Sequence, residues 1–227
     1  MKKAPMAAEA ISIETEVWKR VLCWEDEPIL HLSLQFPKLP DTPPGLRRIG
    51  RYYHQIAEQW KRRWEGRLYA QAQAAARSAR EASHLFRSWE ARLTYSVTYQ
   101  QDGLLSLYLD AYEYTGGAHG LTVRHGDTWQ VPEGTPRALH TFFPPHSRWR
   151  RQIFSEICRQ IESRVKAGDS LFADDWEHRL APAFDPEHFY LTSEGISVFF
   201  PLYSIAPYAE GIPAFPIPFP GDHPAPA

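Results

Sequence analysis

The sequence is short of the features that mark several protein classes. It has two cysteines among 227 residues, with no zinc-type spacing between them. Its 25 basic residues nearly balance 27 acidic ones, and the net charge of −2 gives no general attraction to nucleic acid or to an anionic membrane. No stretch approaches the ~18 apolar residues of a transmembrane helix, and residues 1–10 lack the apolar core of a signal peptide. As written, the chain is expected to be soluble and cytoplasmic.

The cysteines and aromatic residues point to a packed interior. Cys23 falls in a predicted strand and Cys158 on the apolar face of a predicted helix. We interpret both as buried free thiols, with a disulfide between them as the alternative. Eight tryptophans, eleven tyrosines and twelve phenylalanines favour an aromatic core. A stacking surface for sugars or peptides is the other interpretation.

The N-terminal half predicts two strands, a long helix and two more strands. Residues 17–24 form the first strand, and the alternation of apolar and polar residues over 30–36 predicts a half-buried second strand. A helix follows over 43–82, opened by a proline pair and carrying an apolar stripe at helical spacing. Gly66 is a weak point in this helix, at a cost of about 1 kcal/mol against alanine.

The first part of this helix is basic. Its cationic residues are Arg47, Arg48, Arg51, Lys61, Arg62, Arg63 and Arg67. Glu58 and Glu65 are the acidic residues that oppose them. A solvated helix face is the simpler interpretation. A surface over 43–67 that binds an acidic partner is the alternative.

The clearest strand pair covers 89–99 and 105–114, joined by a hairpin turn at Asp102-Gly103. Glu113 falls on the same face as the leucines of the second strand. A carboxylate on an apolar face must be paired or hydrogen-bonded, and we expect Glu113 to brace the loop 115–120 that follows.

The C-terminal half again alternates strands and helices. Gly126-Asp127 predicts the turn of a hairpin over 121–131. A second helix is predicted over 147–166, ended by Gly168. Residues 189–192 and 196–200 predict a further hairpin. A last strand over 215–219 carries a proline at every second position, so it must lie at a sheet edge.

Together these elements predict an α+β fold. It has antiparallel sheets, one long helix in the N-terminal half and one helix in the C-terminal half. The predicted organisation is two intimately packed halves, 10–118 and 119–220, followed by a frayed tail over 221–227.

Three segments in this order resemble one known family. They are 114–120 (YTGGAHG), 188–200 (HFYLTSEGISVFF) and 203–218 (YSIAPYAEGIPAFPIP). Over residues 12–219 the chain is similar to the extracytoplasmic module of the anti-sigma factor RsiV, which is also found before the catalytic domain of the deacetylase PdaC. The two halves of that module are known as domains of unknown function 4163 and 3298. Ser204 stands where the family usually has an acidic residue.

The resemblance implies a binding or sensing role and no enzymatic activity of the module itself. RsiV-like modules recognise lysozyme, and PdaC is linked to peptidoglycan. The implied partner is therefore a lysozyme-like protein or a cell-wall glycan fragment, without a cofactor or a metal. Relatives of this kind are extracytoplasmic.

Two segments supply candidate binding residues. His119 lies between small residues, which leaves room for a ligand or another backbone segment. Tyr114 and Glu113 precede it. We interpret His119 as a residue that hydrogen-bonds to the loop backbone and locks the two halves together. A general base and a metal ligand are the alternative roles. The second segment is the loop 203–211, in which Tyr203, Tyr208 and Glu210 offer amphipathic groups. We interpret Ile205 and the tyrosine rings as packing this loop on the core, with a binding cleft shared with His119 as the alternative.

Three functions follow from these residues. The first is a non-enzymatic module that binds a protein or a cell-wall glycan. The second is a small hydrolase that uses His119 with a nearby carboxylate. The third is an intracellular scaffold that meets an acidic partner through the helix 43–67.

Overall fold

The computed structural model describes residues 11–169 and 171–220, so the predicted leader 1–10 and tail 221–227 lie outside the described residues. The strands of the larger sheet are β1 (Glu14–Trp24), β2 (Glu27–Lys38), β3 (Trp89–Gln101), β4 (Leu104–Tyr114), β5 (Leu121–Gln130) and β6 (Thr135–Pro136). The strands of the smaller sheet are β7 (Phe189–Thr192), β8 (Gly195–Phe199) and β9 (Ala214–Ile217). The α-helices are α1 (Pro44–Arg63), α2 (Tyr69–Glu81), α3 (Trp149–Ala167) and α4 (Trp176–Ala183).

The two sheets confirm the predicted α+β class. The larger sheet has the order β1-β2-β3-β4-β5-β6, and the smaller has β7-β8-β9. One pairing departs from the antiparallel expectation, because β2 runs parallel to β3, with Leu30 opposite Trp89. A parallel pair needs a long crossover, and α1 and α2 lie in the segment that connects these strands. As predicted from its prolines, β9 pairs only with β8 among the described strands and stands at the sheet edge.

The predicted helix over 43–82 is interrupted near its middle. A π-helical turn, Trp64–Leu68, separates α1 from α2 and contains Gly66. Such turns place one extra residue in the helix and occur often at functional positions. The glycine identified as a weak point in the sequence therefore coincides with a real change in helical geometry.

The described chain divides into two compact units that are interleaved along the sequence. The N-terminal unit contains residues 13–96 and 109–124, and the C-terminal unit contains the described parts of 1–12, 97–108 and 125–227. Strands β3, β4 and β5 each contribute residues to both units. The predicted division into 10–118 and 119–220 stays a prediction.

In the N-terminal unit, α1 packs on β2. The alternation predicted for β2 is confirmed, because Leu30, Leu32 and Leu34 are buried while His31 is exposed. Three residues of the helical stripe, Ile49, Tyr53 and Trp64, are fully buried. Each large side chain removed from water in this way contributes roughly 1.5–3 kcal/mol.

The C-terminal unit has its own apolar core. Ile153, Ile157 and Ile161 of α3 are fully buried in a cluster that also contains residues of β7, β8 and β9. The Gln160 side chain donates a hydrogen bond from Nε2 to the carbonyl of Pro216, 2.7 Å away. The helix ends at Gly168, whose φ of 72° gives the left-handed cap that the sequence predicted.

The predicted hairpin at Gly126-Asp127 is wrong, because β5 runs through both residues as one strand. Gly126 serves close packing instead of a turn. A Cβ atom built on it would lie 2.2 Å from the carbonyl oxygen of Phe189. Only glycine allows two backbone segments to approach so closely.

The two cysteines are free thiols. Cys23 lies in β1 and Cys158 in α3, as predicted, but the expectation that both are buried is wrong for Cys23. It is exposed, as are most of the side chains of β1. Cys158 is partly buried, and burial raises the pKa of its thiol.

Within residues 11–169 and 171–220, no helix combines the length and the apolar character required to cross a lipid bilayer.

Candidate functional site

Glu113 ties the end of β4 to the helical junction of the N-terminal unit. Its Oε1 accepts a 2.9 Å hydrogen bond from Arg63 Nε and a 2.8 Å hydrogen bond from the indole Nε1 of Trp64, and Oε2 accepts a 3.2 Å bond from Arg63 Nη2. Trp64 is fully buried, so this carboxylate satisfies an indole N–H that water cannot reach. The sequence correctly predicted a paired carboxylate. Its partners lie on the helix rather than on the following loop.

The loop after β4 is shaped by close packing against two aromatic rings. A Cβ on Gly120 would lie 2.4 Å from ring atoms of Tyr112, and one on Gly116 would lie 3.4 Å from the indole nitrogen of Trp89. Gly116 also has a φ of 86°, which glycine adopts without strain. The small residues of this loop are therefore needed for its backbone path.

His119 is exposed at the end of this loop. Its Nδ1 lies 3.3 Å from the carbonyl oxygen of Gly120, which fits an Nδ1–H bond donated to the backbone of the next residue. This contact agrees with the expected hydrogen bond from His119 to the backbone of the loop. The proposed locking of two halves by His119 stays a prediction.

Tyr114 lines a cleft of about 760 Å³ on the sheet of the N-terminal unit. The cleft volume falls in the range of small-ligand sites. Its polar side chains include Lys19, His31 and Glu90. The remaining lining residues are Arg20, Val21, Leu32, Ser33, Ser88 and Trp89. Tyr114 is thus a predicted site residue that contributes to a concave surface.

The basic helix is less available than its composition suggests. Arg63 is bound to Glu113, and Lys61 lies 3.5 Å from Glu58 and 4.9 Å above the ring of Trp18. Arg20 of β1 forms an ion pair with Glu65. Several charges of 43–67 are therefore paired inside the unit, which supports the solvated-face interpretation for the second half of α1.

The loop 203–211 belongs to the C-terminal unit, and it presents two tyrosines side by side. The rings of Tyr203 and Tyr208 lie 5.9 Å apart at an interplanar angle of 33°. Tyr203 is 45% exposed and has a φ of 65°. A bulky residue in the left-handed region costs roughly 1–3 kcal/mol unless its surroundings hold it there, and such strain clusters at functional positions.

Hydrogen bonds hold the loop under these tyrosines. Ser204 donates from its backbone N and from Oγ to the carbonyl of Pro201, at 3.2 Å and 2.6 Å. Ile205 is fully buried, and its carbonyl accepts a 3.3 Å bond from the amide of Ala173. The tyrosine pair therefore stands on a fixed backbone.

Glu210 has a bracing role in the same loop. Its Oε1 accepts a 2.6 Å hydrogen bond from the backbone N of Leu171. Of the three loop residues predicted as binding groups, Tyr203 and Tyr208 present the ring pair and Glu210 ties the loop to a neighbouring segment.

The six predicted site residues divide between the units. Glu113, Tyr114 and His119 belong to the N-terminal unit, while Tyr203, Tyr208 and Glu210 belong to the C-terminal unit. The structure thus gives one candidate surface in each unit, the cleft with Tyr114 in the N-terminal unit and the tyrosine pair in the C-terminal unit.

Sequence reasoning missed a polar cluster in the C-terminal unit. His125 Nε2 lies 3.1 Å from Asp127 Oδ1, and His188 Nε2 lies 3.9 Å from Asp185 Oδ2. The ring of His188 stacks on Phe199 at 5.0 Å, and its buried Nδ1 has no hydrogen-bond partner within the described residues. The alternation i, i+2 of His125 and Asp127 was a signal for this pair, but the assumed turn concealed it.

The two histidines of this cluster have opposite pKa shifts. The hydrogen bond to Asp127 raises the pKa of His125 above its usual value, and Glu187 adds to this effect. Burial lowers the pKa of His188, and the charge of His125 lowers it further. At mildly acidic pH, His125 is therefore protonated first.

Replacing each histidine by glutamine is expected to change the pH dependence of stability in opposite directions. His125 stabilises the fold fully below the unfolded pKa of about 6.5 and loses this effect as pH rises through its folded pKa. His188 costs stability below about pH 6.5, because the unfolded chain takes up that proton first. His125→Gln should therefore lower the melting temperature more at about pH 5.5 than at about pH 8.5, and His188→Gln should raise it at the lower pH. The corresponding change in the free energy of unfolding should stay within about 1 kcal/mol for each variant. Thermal melts of both variants at the two pH values measure this, and shifts of the same sign would contradict it.

Within the part of the chain that the structure describes, no three His, Cys, Asp or Glu side chains come together as a metal-ligand set.

Comparison with known families gives two matches in order along the chain. The model described as "Deacetylase PdaC" matches residues 25–122, and that described as "Protein of unknown function (DUF3298)" matches residues 140–220. No curated protein matches the chain.

Solved structures match nearly the whole chain. A DUF3298 family protein from Pseudomonas aeruginosa PAO1 is 20% identical with a TM-score of 0.60, and the match covers 92% of this chain and 90% of that one. A DUF3298 family member from Bacteroides fragilis NCTC 9343 is 16% identical with a TM-score of 0.67, covering 92% and 91%. At these identities the structures establish a shared fold. The two family models match the chain in the order of a PdaC/RsiV-like module, in which a PdaC-type domain is followed by a DUF3298 domain.

Proposed function

We propose that the chain is a non-catalytic binding module that engages a protein or a cell-wall glycan through the loop 203–211. The observation that carries the proposal is the ring pair of the exposed Tyr203 and the half-buried Tyr208, on a backbone held by hydrogen bonds. Rigid tyrosines bring a large amphipathic contact area to an interface at a low entropic cost.

The loop has the physical features of a preformed binding surface. Affinity is lost when a loop must be ordered on binding, at about 0.5–1.5 kcal/mol for each side chain that is immobilised. The buried Ile205 and the hydrogen bond from the Leu171 amide to Glu210 already order this loop in the folded chain, so binding need not order it. Aromatic side chains on such a surface suit both a protein partner and the apolar face of a sugar ring.

The resemblance narrows the class of ligand. RsiV-like modules recognise lysozyme, and PdaC is named as a deacetylase. We therefore take a lysozyme-like protein and peptidoglycan fragments as the two ligands to test, and the position we assign to either is the tyrosine pair.

The proposal predicts that Tyr203→Ala or Tyr208→Ala weakens binding at least about tenfold, because aromatic residues dominate interface energies. Calorimetric titration with lysozyme and with soluble peptidoglycan fragments measures this. Val165→Ala is the matched control, since it removes a 49% exposed apolar side chain in the same unit. Melting temperatures should remain close to that of the parent chain.

Two results would contradict the proposal. One is retention of neither ligand by the parent chain. The other is binding that the tyrosine variants leave unchanged. Conversion of a peptidoglycan fragment, abolished by His119→Ala, would favour the hydrolase alternative.

A further inference from the structure

Among the described strands, none pairs with the outer edge of β1 in the larger sheet. It is the terminal strand of that sheet and pairs only with β2 among the described strands. It is 11 residues long and exposed over most of its length, including Val17 at 53% and Val21 at 51%. Long exposed edges of this kind present free backbone N–H and C=O groups to which another strand can pair.

The charges of β1 divide along its length. Glu14 and Glu16 lie in its first half, and Lys19 and Arg20 in its second half. It contains no proline, which would interrupt pairing. A strand with opposite charges at its two ends is complementary to an antiparallel copy of itself, because the acidic half of each copy faces the basic half of the other.

We propose that β1 pairs antiparallel with β1 of a second copy of this chain, centred on Trp18. In this register Glu16 lies opposite Arg20 of the second copy, and the same pair recurs by symmetry. Opposite charges that face each other across two strands stabilise their pairing. A pairing centred on Lys19 would instead set two lysines against each other, which is unfavourable.

The pairing would also extend the candidate cleft of the N-terminal unit. Lys19 and Val21 of β1 line that cleft. In the proposed register Val17 and Thr15 of the second copy lie opposite them, on the same face of the sheet, since directly opposed residues in an antiparallel pair share a face. Each cleft would then gain a wall from the second copy.

The first test is the mass of the full chain in solution as a function of concentration. Light scattering should show a rise from the 26.2 kDa of one chain towards twice that mass. Glu16→Arg should weaken self-association at least about threefold, because it sets arginine against arginine. Adding Arg20→Glu to that variant should restore it by reversing both charges. A thermal melt of each variant checks that the fold survives the loss of the Arg20–Glu65 ion pair.

The second test fixes the register by disulfide formation. Val17 and Lys19 of two copies are opposite only when the pairing is centred on Trp18. Chains carrying Val17→Cys and Lys19→Cys, both with Cys23→Ser, should therefore cross-link to each other when mixed and oxidised. Diagonal neighbours are about 7–8 Å apart, which is too far for a disulfide, so either chain alone should cross-link weakly.

Three results would overturn this proposal. They are a monomer at every concentration, cross-links within the Val17→Cys chains alone, and cross-links within the Lys19→Cys chains alone. A monomer would leave the edge for the strand of a different protein.

Discussion

Replacing Gly126 by alanine is expected to lower the free energy of unfolding by about 3 kcal/mol, as forced overpacking of a buried site does. The added methyl carbon would lie 2.2 Å from the carbonyl oxygen of Phe189, 3.0 Å from its carbonyl carbon and 3.1 Å from Phe199. The first two atoms belong to the backbone of β7 and cannot rotate away as the end of a flexible side chain can.

Gly66→Ala is the matched control for this change. Nothing lies within 4 Å of the Cβ position at Gly66, and alanine is preferred over glycine in helices by up to about 1 kcal/mol. The same chemical change should therefore be neutral or stabilising in the π-helical turn and strongly destabilising in β5. Chemical denaturation of both variants gives the comparison. Similar free energies of unfolding for the two variants would contradict the close approach of β5 and β7.

The second large effect is expected at Glu113. Glu113→Ala should lower the free energy of unfolding by about 3 kcal/mol, because it leaves the buried indole N–H of Trp64 without an acceptor and Arg63 without its partner. Glu113→Gln keeps an oxygen that can accept from the indole and should cost less, about 1 kcal/mol. Denaturant titrations of both variants measure the difference.

A double-mutant cycle separates this bond from general packing. Trp64→Phe removes the N–H and retains an aromatic ring, so Glu113→Ala should cost less in that background than in the parent chain. Equal costs in the two backgrounds would show that the Glu113–Trp64 hydrogen bond contributes nothing to stability.

The period-two and helical patterns predicted most of the fold. The alternation over 30–36 predicted β2, and the helical stripe of Ile49 and Tyr53 predicted the packing face of α1, because one face of each element must leave water. The family resemblance predicted the order of the two domains. These features depend on local sequence, which is why they could be read without coordinates.

The features that sequence reasoning missed depend on distant contacts. Gly126-Asp127 is typical of a turn, and only the approach of Phe189 shows why glycine is required in mid-strand. The pairing of His125 with Asp127 was hidden by the same assumption. The exposure of Cys23 is shared by most side chains of β1, and whether another element covers a strand is not encoded in the alternation of that strand.

The candidate site was predictable in part. The carboxylate of Glu113 was correctly expected to be paired, because an unpaired charge on an apolar face costs a large amount of free energy. Its partners could not be foreseen, since they lie 49 and 50 positions earlier in the chain. The tyrosines of the loop 203–211 were identified from residue type, but their side-by-side rings required the fold.

Hydrogen-exchange mass spectrometry of the chain with and without bound ligand tests the central claim most directly. The mass of the ligand is measured in the same samples. The account predicts that lysozyme or a peptidoglycan fragment slows exchange in the segment 201–211 and is recovered with its mass unchanged. Protection confined to 115–120, or a ligand whose mass has changed, would contradict a module that binds through Tyr203 and Tyr208 without transforming its ligand.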